Sequence, residues 1–302
     1  MLRSNQFDVI IVGGSYSGLS AALALGRSVR KTLIIDSGKP CNTSTPHSHN
    51  FLTQDGKTPS EISAIAKEQV LKYESVQFYK GLASSAKKMI DSFSILTESG
   101  EEFIGRKVIF ATGIKDIMPD IEGFAECWGK SIIHCPYCHG YEVKGKKTGV
   151  LSNDNFTLDY LKMIKNLSPD ITLLTNGKVN FSKDDLNRIK RNNISIVETV
   201  IDSFEQENGK LKSVLFQNGE KLSLNVLYTH PPFVQHSEIP QMLGCKINEN
   251  GLIEVDEGGR TSVSGLYACG DNSSMRSLTV ASFTGMVAGV HVNKLLCDEE
   301  FL

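Results

Sequence analysis

The sequence predicts an α/β protein built from two Rossmann-like three-layer domains. Three observations carry that expectation. Gln6 to Asp36 reads as strand, glycine turn, helix and strand, and Thr148 to Leu174 repeats strand, helix and strand. Between the two lies Cys135-Pro136-Tyr137-Cys138. At 302 residues the chain is long enough for two domains that each bury a core.

In the first unit, Val9-Ile10-Ile11-Val12 is the continuous apolar run of a buried parallel strand. The turn Gly13-Gly14-Ser15-Tyr16-Ser17-Gly18 follows. Against G-x-G-x-x-G, Gly13 and Gly18 match the first and third glycines. Ser15 holds the second place, where glycine lets the backbone approach a pyrophosphate. Leu19 to Leu25 is helical in composition, and Thr32-Leu33-Ile34-Ile35 is a second strand ending on Asp36. That acid falls about 20 residues past the turn, where a carboxylate binds a ribose hydroxyl. The combination points to a dinucleotide site, against the simpler alternative of a Rossmann unit without ligand.

Residues 37–58 are too rich in Gly, Pro, Asn and Ser for regular structure. His47 and His49 stand two apart there with no third ligand, so no metal is expected. Pro59 to Lys72 has the period of an amphipathic helix, with Ile62, Ile65, Val70 and Leu71 toward the core. Strands are expected at Val76–Tyr79, Phe93–Leu96 and Lys107–Phe110. The last runs into Ala111-Thr112-Gly113, small residues that let the chain pass close to a cofactor. Ile117 to Glu122 reads as a linker.

Cys135 and Cys138 are three positions apart, and one helical turn brings such backbones to roughly 5–6 Å, within disulfide range. Pro136 suits the first helical position and places Cys135 at the N-cap. A helix N-terminus and the neighbours His134 and His139 favour thiolate over thiol. The alternative, half a structural zinc site, needs a second ligand pair, and Cys41, Cys127, Cys245, Cys269 and Cys297 lie singly. This cysteine usage suits a reducing compartment, and cytoplasm is the expectation.

In the second unit the turn is Ser152-Asn153-Asp154-Asn155, without glycine. Its second strand, Ile171–Leu174, runs into Thr175-Asn176-Gly177-Lys178 without an acid or an arginine. The fold signal persists there while the nicotinamide-binding signal fades. Asn193 to Leu227 gives strands with a hairpin at Asn218-Gly219. Pro231-Pro232 and Pro240 mark a return linker. Gly265 to Asp271 is a strand ending in Gly-Asp, whose Asp271 suits a ribose or ribityl hydroxyl, before a helix from Ser282 to Leu296. The net charge of −2 offers no footprint for nucleic acid or an anionic membrane. No apolar run is expected to approach the length of a membrane span.

The order glycine turn, Ala-Thr-Gly, Cys-x-x-Cys, second βαβ unit, Gly-Asp and terminal helix resembles the low-molecular-weight thioredoxin reductases over nearly the whole chain. Cys135-Pro136-Tyr137-Cys138-His139-Gly140-Tyr141-Glu142 is most similar to the branch that includes the fungal gliotoxin-type dithiol oxidases, with histidine after the second cysteine. The resemblance implies an FAD domain from residues 1–116 and 244–302, with a smaller NAD(P)-type domain, 117–243, inserted. It also implies that Gly13, Gly14, Ser15, Gly18, Asp36, Asn50, Thr112, Gly113 and Asp271 hold FAD. Cys138 would face the flavin, Cys135 would exchange with substrate, and His139 would be the general acid/base. The expected activity is FAD-dependent dithiol–disulfide exchange with a thioredoxin-like protein or a small dithiol or disulfide. NADPH stays open as the electron source because its motifs are degenerate. Alternatives are an oxygen-using dithiol oxidase and a non-catalytic FAD-binding regulator. The family also implies a homodimer.

Overall fold

The computed structural model describes residues 5–301 and divides the chain into two compact units. Unit 1 holds residues up to Thr43, Ser60–Lys115 and Phe233 onward, and unit 2 holds Ser44–Pro59 and Asp116–Pro232. The chain opens with β1 (Gln6–Val12), α1 (Tyr16–Arg27) and β2 (Thr32–Asp36), the strand, helix and strand expected from the glycine turn. Next come α2 (Pro59–Leu71), β3 (Val76–Lys80), β4 (Ala83–Lys88), β5 (Phe93–Thr97), β6 (Glu102–Phe110) and the short β7 (Ile114–Asp116). In α2 the buried residues are Ile62 and Val70, whereas Leu71 is exposed, which corrects its expected place in the core. Leu71 is the last residue of the helix, past the turn that packs.

Unit 2 begins with α3 (Phe124–Cys127), β8 (Ile132–Ile133), α4 (Pro136–His139), β9 (Thr148–Leu151), α5 (Thr157–Lys165), β10 (Ile171–Leu174) and α6 (Lys183–Arg191). It continues through β11 (Ser195–Val197), β12 (Ile201–Glu207), β13 (Lys210–Phe216), β14 (Lys221–Ser223) and β15 (Val226–Thr229). Five parallel strands form one sheet in the order β11-β10-β9-β15-β8. Strands β12, β13 and β14 form an antiparallel meander, closed between β13 and β14 by the Asn218-Gly219 turn with Gly219 at φ +84°. One core cluster joins Phe124, Ile132, Phe204 and Leu227, and a second joins Ile133, Tyr160, Leu173 and Tyr228.

The chain then adds β16 (Phe233–Gln235), α7 (Ile239–Met242), β17 (Leu266–Ala268) and α8 (Leu278–Glu300) to unit 1. The main sheet runs β3-β2-β1-β6-β5-β4, and the C-terminal half of β6 also pairs with β17. β1, β2, β3, β6 and β17 are parallel, and β4 and β5 form an antiparallel flap. Residues 233–243 were expected in the inserted segment and belong to unit 1 instead. The reason is apolar packing: Ile239 and Cys245 are buried in one core with Val12, Leu33 and Ile253.

Helix α8 is long and apolar enough, by length and composition, to cross a membrane, which corrects the expectation that no such run exists. Its small residues are packed against α1. A Cβ on Gly285 would stand 2.1 Å from the Ser17 carbonyl oxygen, and one on Gly289 would stand 2.7 Å from that of Ala21. Two glycines thus let two backbones approach as side chains would not allow. α8 is in this way the core partner of α1, the helix that follows the glycine turn.

Candidate active site

The turn after β1 is shaped by contacts that exclude side chains. Gly13 has φ +106°, and a Cβ there would fall 2.2 Å from the Ala111 carbonyl oxygen, at the end of β6. A Cβ on Gly18 would fall 1.9 Å from the Gly13 carbonyl oxygen. Gly14 approaches the end of β2: its N–H donates to Asp36 Oδ1 at 2.9 Å, and the other carboxylate oxygen accepts the Gly38 N–H at 3.0 Å. Ser15 is the N-cap of α1, half-buried, with its side chain making no capping bond. The helix start therefore keeps the amide-rich character that binds a phosphate.

At the ends of β6 and β17 the chain turns through Thr112, Gly113 and Asp271. Gly113 has φ +66° with open space where a Cβ would stand. Asn272, which the sequence reading passed over, is fully buried. Its Nδ2 donates to the Phe110 carbonyl at 2.9 Å and to Thr112 Oγ1 at 3.2 Å, locking the two strand ends together, while its Oδ1 is buried without a partner. A glycine cradle, an acid at the end of β2 and an orphaned buried acceptor fit a dinucleotide such as FAD. Of the expected residues, Gly13, Gly14, Ser15, Gly18, Asp36, Thr112, Gly113 and Asp271 lie in unit 1. Asn50 does not. It sits in the 44–59 loop of unit 2, at φ +59°, donating its N–H to Asp55 Oδ1 at 2.7 Å. That loop is held in unit 2 by Ser44, seated against Gly129, and by His49.

In unit 2, Cys135 and Cys138 are joined by a disulfide with Cα atoms 5.2 Å apart. Pro136 opens α4, and Cys135 is its N-cap, with Sγ accepting the Cys138 N–H at 3.0 Å. Any negative charge that develops on this sulfur meets a donor already in place. Gly140 closes the turn, where a Cβ would meet the Pro136 carbonyl oxygen at 2.2 Å. Before the pair, Tyr160 of α5 donates its hydroxyl to the His134 carbonyl at 2.6 Å, and the His134 ring stacks on Trp128 at 5.8 Å. The redox turn is thus tied to the sheet by β8 and to α5 by a buried phenol.

His139 follows the second cysteine. Burial holds its imidazole below the ordinary histidine range, opposed by the Glu142 carboxylate and reinforced by His49. A neutral imidazole beside a thiol pair can accept and return a proton. Among the described residues no group of three or more His, Cys, Asp or Glu is arranged to hold a metal ion.

The turn of the second βαβ unit is filled by its own side chains. Asp154 Oδ1 accepts the Phe156 N–H at 2.9 Å, and Thr157 Oγ1 accepts the Asp154 N–H at 3.1 Å. Ser152 Oγ lies 2.6 Å from Thr157 Oγ1. Across the turn, Asn153 Nδ2 donates to the Lys178 carbonyl at 2.9 Å. Donors that a dinucleotide phosphate would take in an ordinary Rossmann turn are used internally.

The whole-chain pattern agrees with known proteins. The family model for pyridine nucleotide-disulphide oxidoreductases matches residues 7–164 and 169–285. A thioredoxin reductase of Claviceps purpurea is 34% identical, over 99% of this chain and 97% of its own. One of Leptosphaeria maculans is 32% identical, over 95% and 93%. Thioredoxin reductase TrxB of Bacillus anthracis superposes with a TM-score of 0.93 at 31% identity, covering 97% of this chain and 99% of that one. The chain belongs to the pyridine nucleotide-disulphide oxidoreductase family. Within it, this is a flavin-dependent disulfide oxidoreductase of the thioredoxin reductase-like type, and its flavin is FAD.

Proposed function

We propose that this enzyme exchanges electrons between its flavin and a dithiol or disulfide substrate through Cys135 and Cys138. The observation that carries the reading is the disulfide at the N-cap of α4, its Cys135 sulfur held by the Cys138 N–H and followed by the half-buried His139. Thiol–disulfide exchange needs an attackable sulfur, a resolving thiol and a proton acceptor, and these three groups supply them. Gly13, Gly14, Ser15, Gly18, Asp36, Thr112, Gly113 and Asp271 hold FAD, with Asn272 fixing the strand ends beneath. When bound, FAD supplies a two-electron acceptor or donor.

The occupied turn at Ser152–Thr157 favours a second, narrower reading: an oxygen-using oxidase of small dithiols, with substrate thiols and not NADPH as the electron source. The similarity of Cys135–Glu142 to the gliotoxin-type branch supports the same direction. A thioredoxin-like protein remains the rival substrate class. The exposed stripe Phe283, Met286 and Val290 on α8 supports a homodimer, and the buried thiols of Cys127, Cys245 and Cys269 suit the reducing cytoplasm. Anaerobic titration of the purified protein decides the central reading. A small dithiol that bleaches the flavin with formation of its own disulfide supports an enzyme of this kind. A flavin inert to dithiols and to NADPH supports a non-catalytic flavin carrier.

A further inference from the structure

Beside the redox turn, one imidazole stands between two carboxylates. His49 Nδ1 lies 3.4 Å from Asp55 Oδ2, and Nε2 lies 3.5 Å from Glu142 Oε1. Asp55 is itself aimed: its other oxygen accepts the Asn50 N–H at 2.7 Å, and Asn50 adopts a left-handed φ of +59° in making that bond. Backbone strain of that kind in a non-glycine residue is sustained by its surroundings. Glu142 comes three residues after His139 on the same turn. The His49 ring, 22% exposed, is the most buried member of the chain of contacts, between Glu142 at 41% and Asp55 at 63%.

We propose that His49 tunes the redox turn: held by Asp55 and paired with the Glu142 carboxylate, it offsets the pull of that carboxylate on His139 and so sets the pH at which Cys135 and Cys138 exchange with a dithiol. This rests on reading His139 as the proton acceptor. In the exchange, one substrate S–H gives its proton to His139 as its sulfur bonds to Cys135, and the Cys135–Cys138 bond breaks. Cys138 leaves as a thiolate and takes the proton from His139. The second substrate thiol then closes on the first, and its proton goes to the departing Cys135. The substrate loses two electrons, and the enzyme disulfide gains them.

The charged groups acting on His139 are few. Glu142 draws its proton affinity up, and His49 draws it down. Asp55 acts from behind His49, on the 44–59 loop. From β15, Tyr228 faces Glu142 as a buried phenol without a hydrogen-bond partner, its pKa raised by burial and then by Glu142. Tyr228 is thus neutral throughout the range in question. Removing the His49 imidazole takes away the group that draws His139 down and leaves the Glu142 carboxylate without its offset. The two effects share a sign.

The test uses the FAD-loaded enzyme and dithiothreitol, with oxidised dithiothreitol counted after an acid quench of the first turnover across pH. The His139 imidazole is titrated separately by NMR. In His49→Gln the rising limb and the NMR midpoint move to higher pH, and in Glu142→Gln they move to lower pH, each by roughly half a pH unit or more. Asp55→Asn, on the exposed side, follows His49→Gln with a smaller displacement. An equal loss of rate at every pH, with the midpoint unmoved in all three variants, overturns the proposal. His139→Gln separates this failure from that of the underlying reading. If the limb survives in that variant, His139 is not the base and both ideas fall. If it vanishes there yet stays put in His49→Gln, only the role of His49 falls.

Discussion

Asn153 and Asn180 are joined side chain to backbone: Asn153 Oδ1 accepts the Asn180 N–H at 2.9 Å, while its Nδ2 holds the Lys178 carbonyl. One amide thus bridges the end of β9 and the loop after β10, the two places from which a Rossmann unit reads the pyrophosphate and the ribose of its nucleotide. Asp154, which accepts the Phe156 N–H within that turn, adds a negative charge there.

NADPH and NADH should therefore reduce the flavin poorly compared with a dithiol. Two like charges at about 4 Å repel by roughly 1 kcal/mol in water and more near a protein surface, and a phosphate would also have to displace Asp154 from the Phe156 N–H. Anaerobic stopped-flow checks this. Full flavin reduction by micromolar NADPH within a second would return the enzyme to the ordinary reductase reading.

Much of this was legible in the residues. Apolar runs such as Val9–Val12 and Ile171–Leu174 identify buried parallel strands, because both faces must be covered. The glycines at 13 and 18 announce a close backbone approach that the contacts with Ala111 and Gly13 bear out. What escaped had no local signal. β4 is Ala-Ser-Ser-Ala-Lys-Lys, poor in strand formers, and takes its conformation from pairing with β5. α6 was missed although Ser182 caps it through the Asp185 N–H, since only Ile189 among its residues is buried. Asn272 and Tyr160 act through single tertiary hydrogen bonds. His49, paired with Asp55, meets Glu142 only because the 44–59 loop belongs to unit 2.

The two cysteines should differ in a trapping experiment. With Cys135 as the exchanging sulfur, Cys138→Ser removes the resolving thiol, and a disulfide probe should leave a stable mixed disulfide on Cys135. Intact mass and peptide mapping read this directly. A stable adduct on Cys138 in Cys135→Ser, with none on Cys135 in the converse variant, would reverse the assignment.

His139→Ala should slow the dithiol half-reaction by about 10²–10⁴-fold, the usual worth of general acid–base catalysis. Burial keeps the folded pKa of His139 below 6.5, so the imidazole is neutral above that value. The wild-type rate should rise with pH through this lowered pKa and level off by neutrality, and the variant should lose that limb. The same shift favours the fold above pH 6.5, with that contribution lost as pH falls through the folded pKa. A mutant rate that keeps the wild-type limb would remove His139 from the proton transfer.

Gly285→Val should lower the melting temperature and loosen α8 from α1. Replacing a helix-interior glycine ordinarily helps, by about 1 kcal/mol for alanine. Here the new Cβ would stand 2.1 Å from the Ser17 carbonyl oxygen, and backbone cannot swing aside as a side chain does. Overpacking of about 1–3 kcal/mol outweighs the propensity gain. Gly289→Ala, where the nearest atom is at 2.7 Å, should cost less. Thermal unfolding of the FAD-loaded protein orders the two, and equal stability of Gly285→Val and wild type would contradict the packing argument.

The flavin site gives the last prediction, through Asp36. Its two oxygens accept the N–H groups of Gly14 and Gly38, so the carboxylate is fixed in place at the end of β2 before any ligand arrives. A fixed carboxylate there can accept from a ribose hydroxyl with little further ordering. The purified chain should be yellow and carry one FAD, and Asp36→Ala should weaken FAD binding. A hydrogen bond to a charged group is worth about 1.5–3 kcal/mol, which corresponds to a roughly 10–150-fold rise in Kd. Asp36→Ala also removes the acceptor for Gly14, so a purely structural role predicts a loss of stability in the FAD-free protein. Measuring FAD affinity by fluorescence quenching, alongside the melting temperature of the flavin-free chain, separates the two. Weaker FAD binding with little change in flavin-free melting assigns the carboxylate to the ligand. The reverse pattern makes it a brace for the turn, and a chain that takes up no FAD on reconstitution would sink the dinucleotide reading of Gly13 to Gly18 altogether.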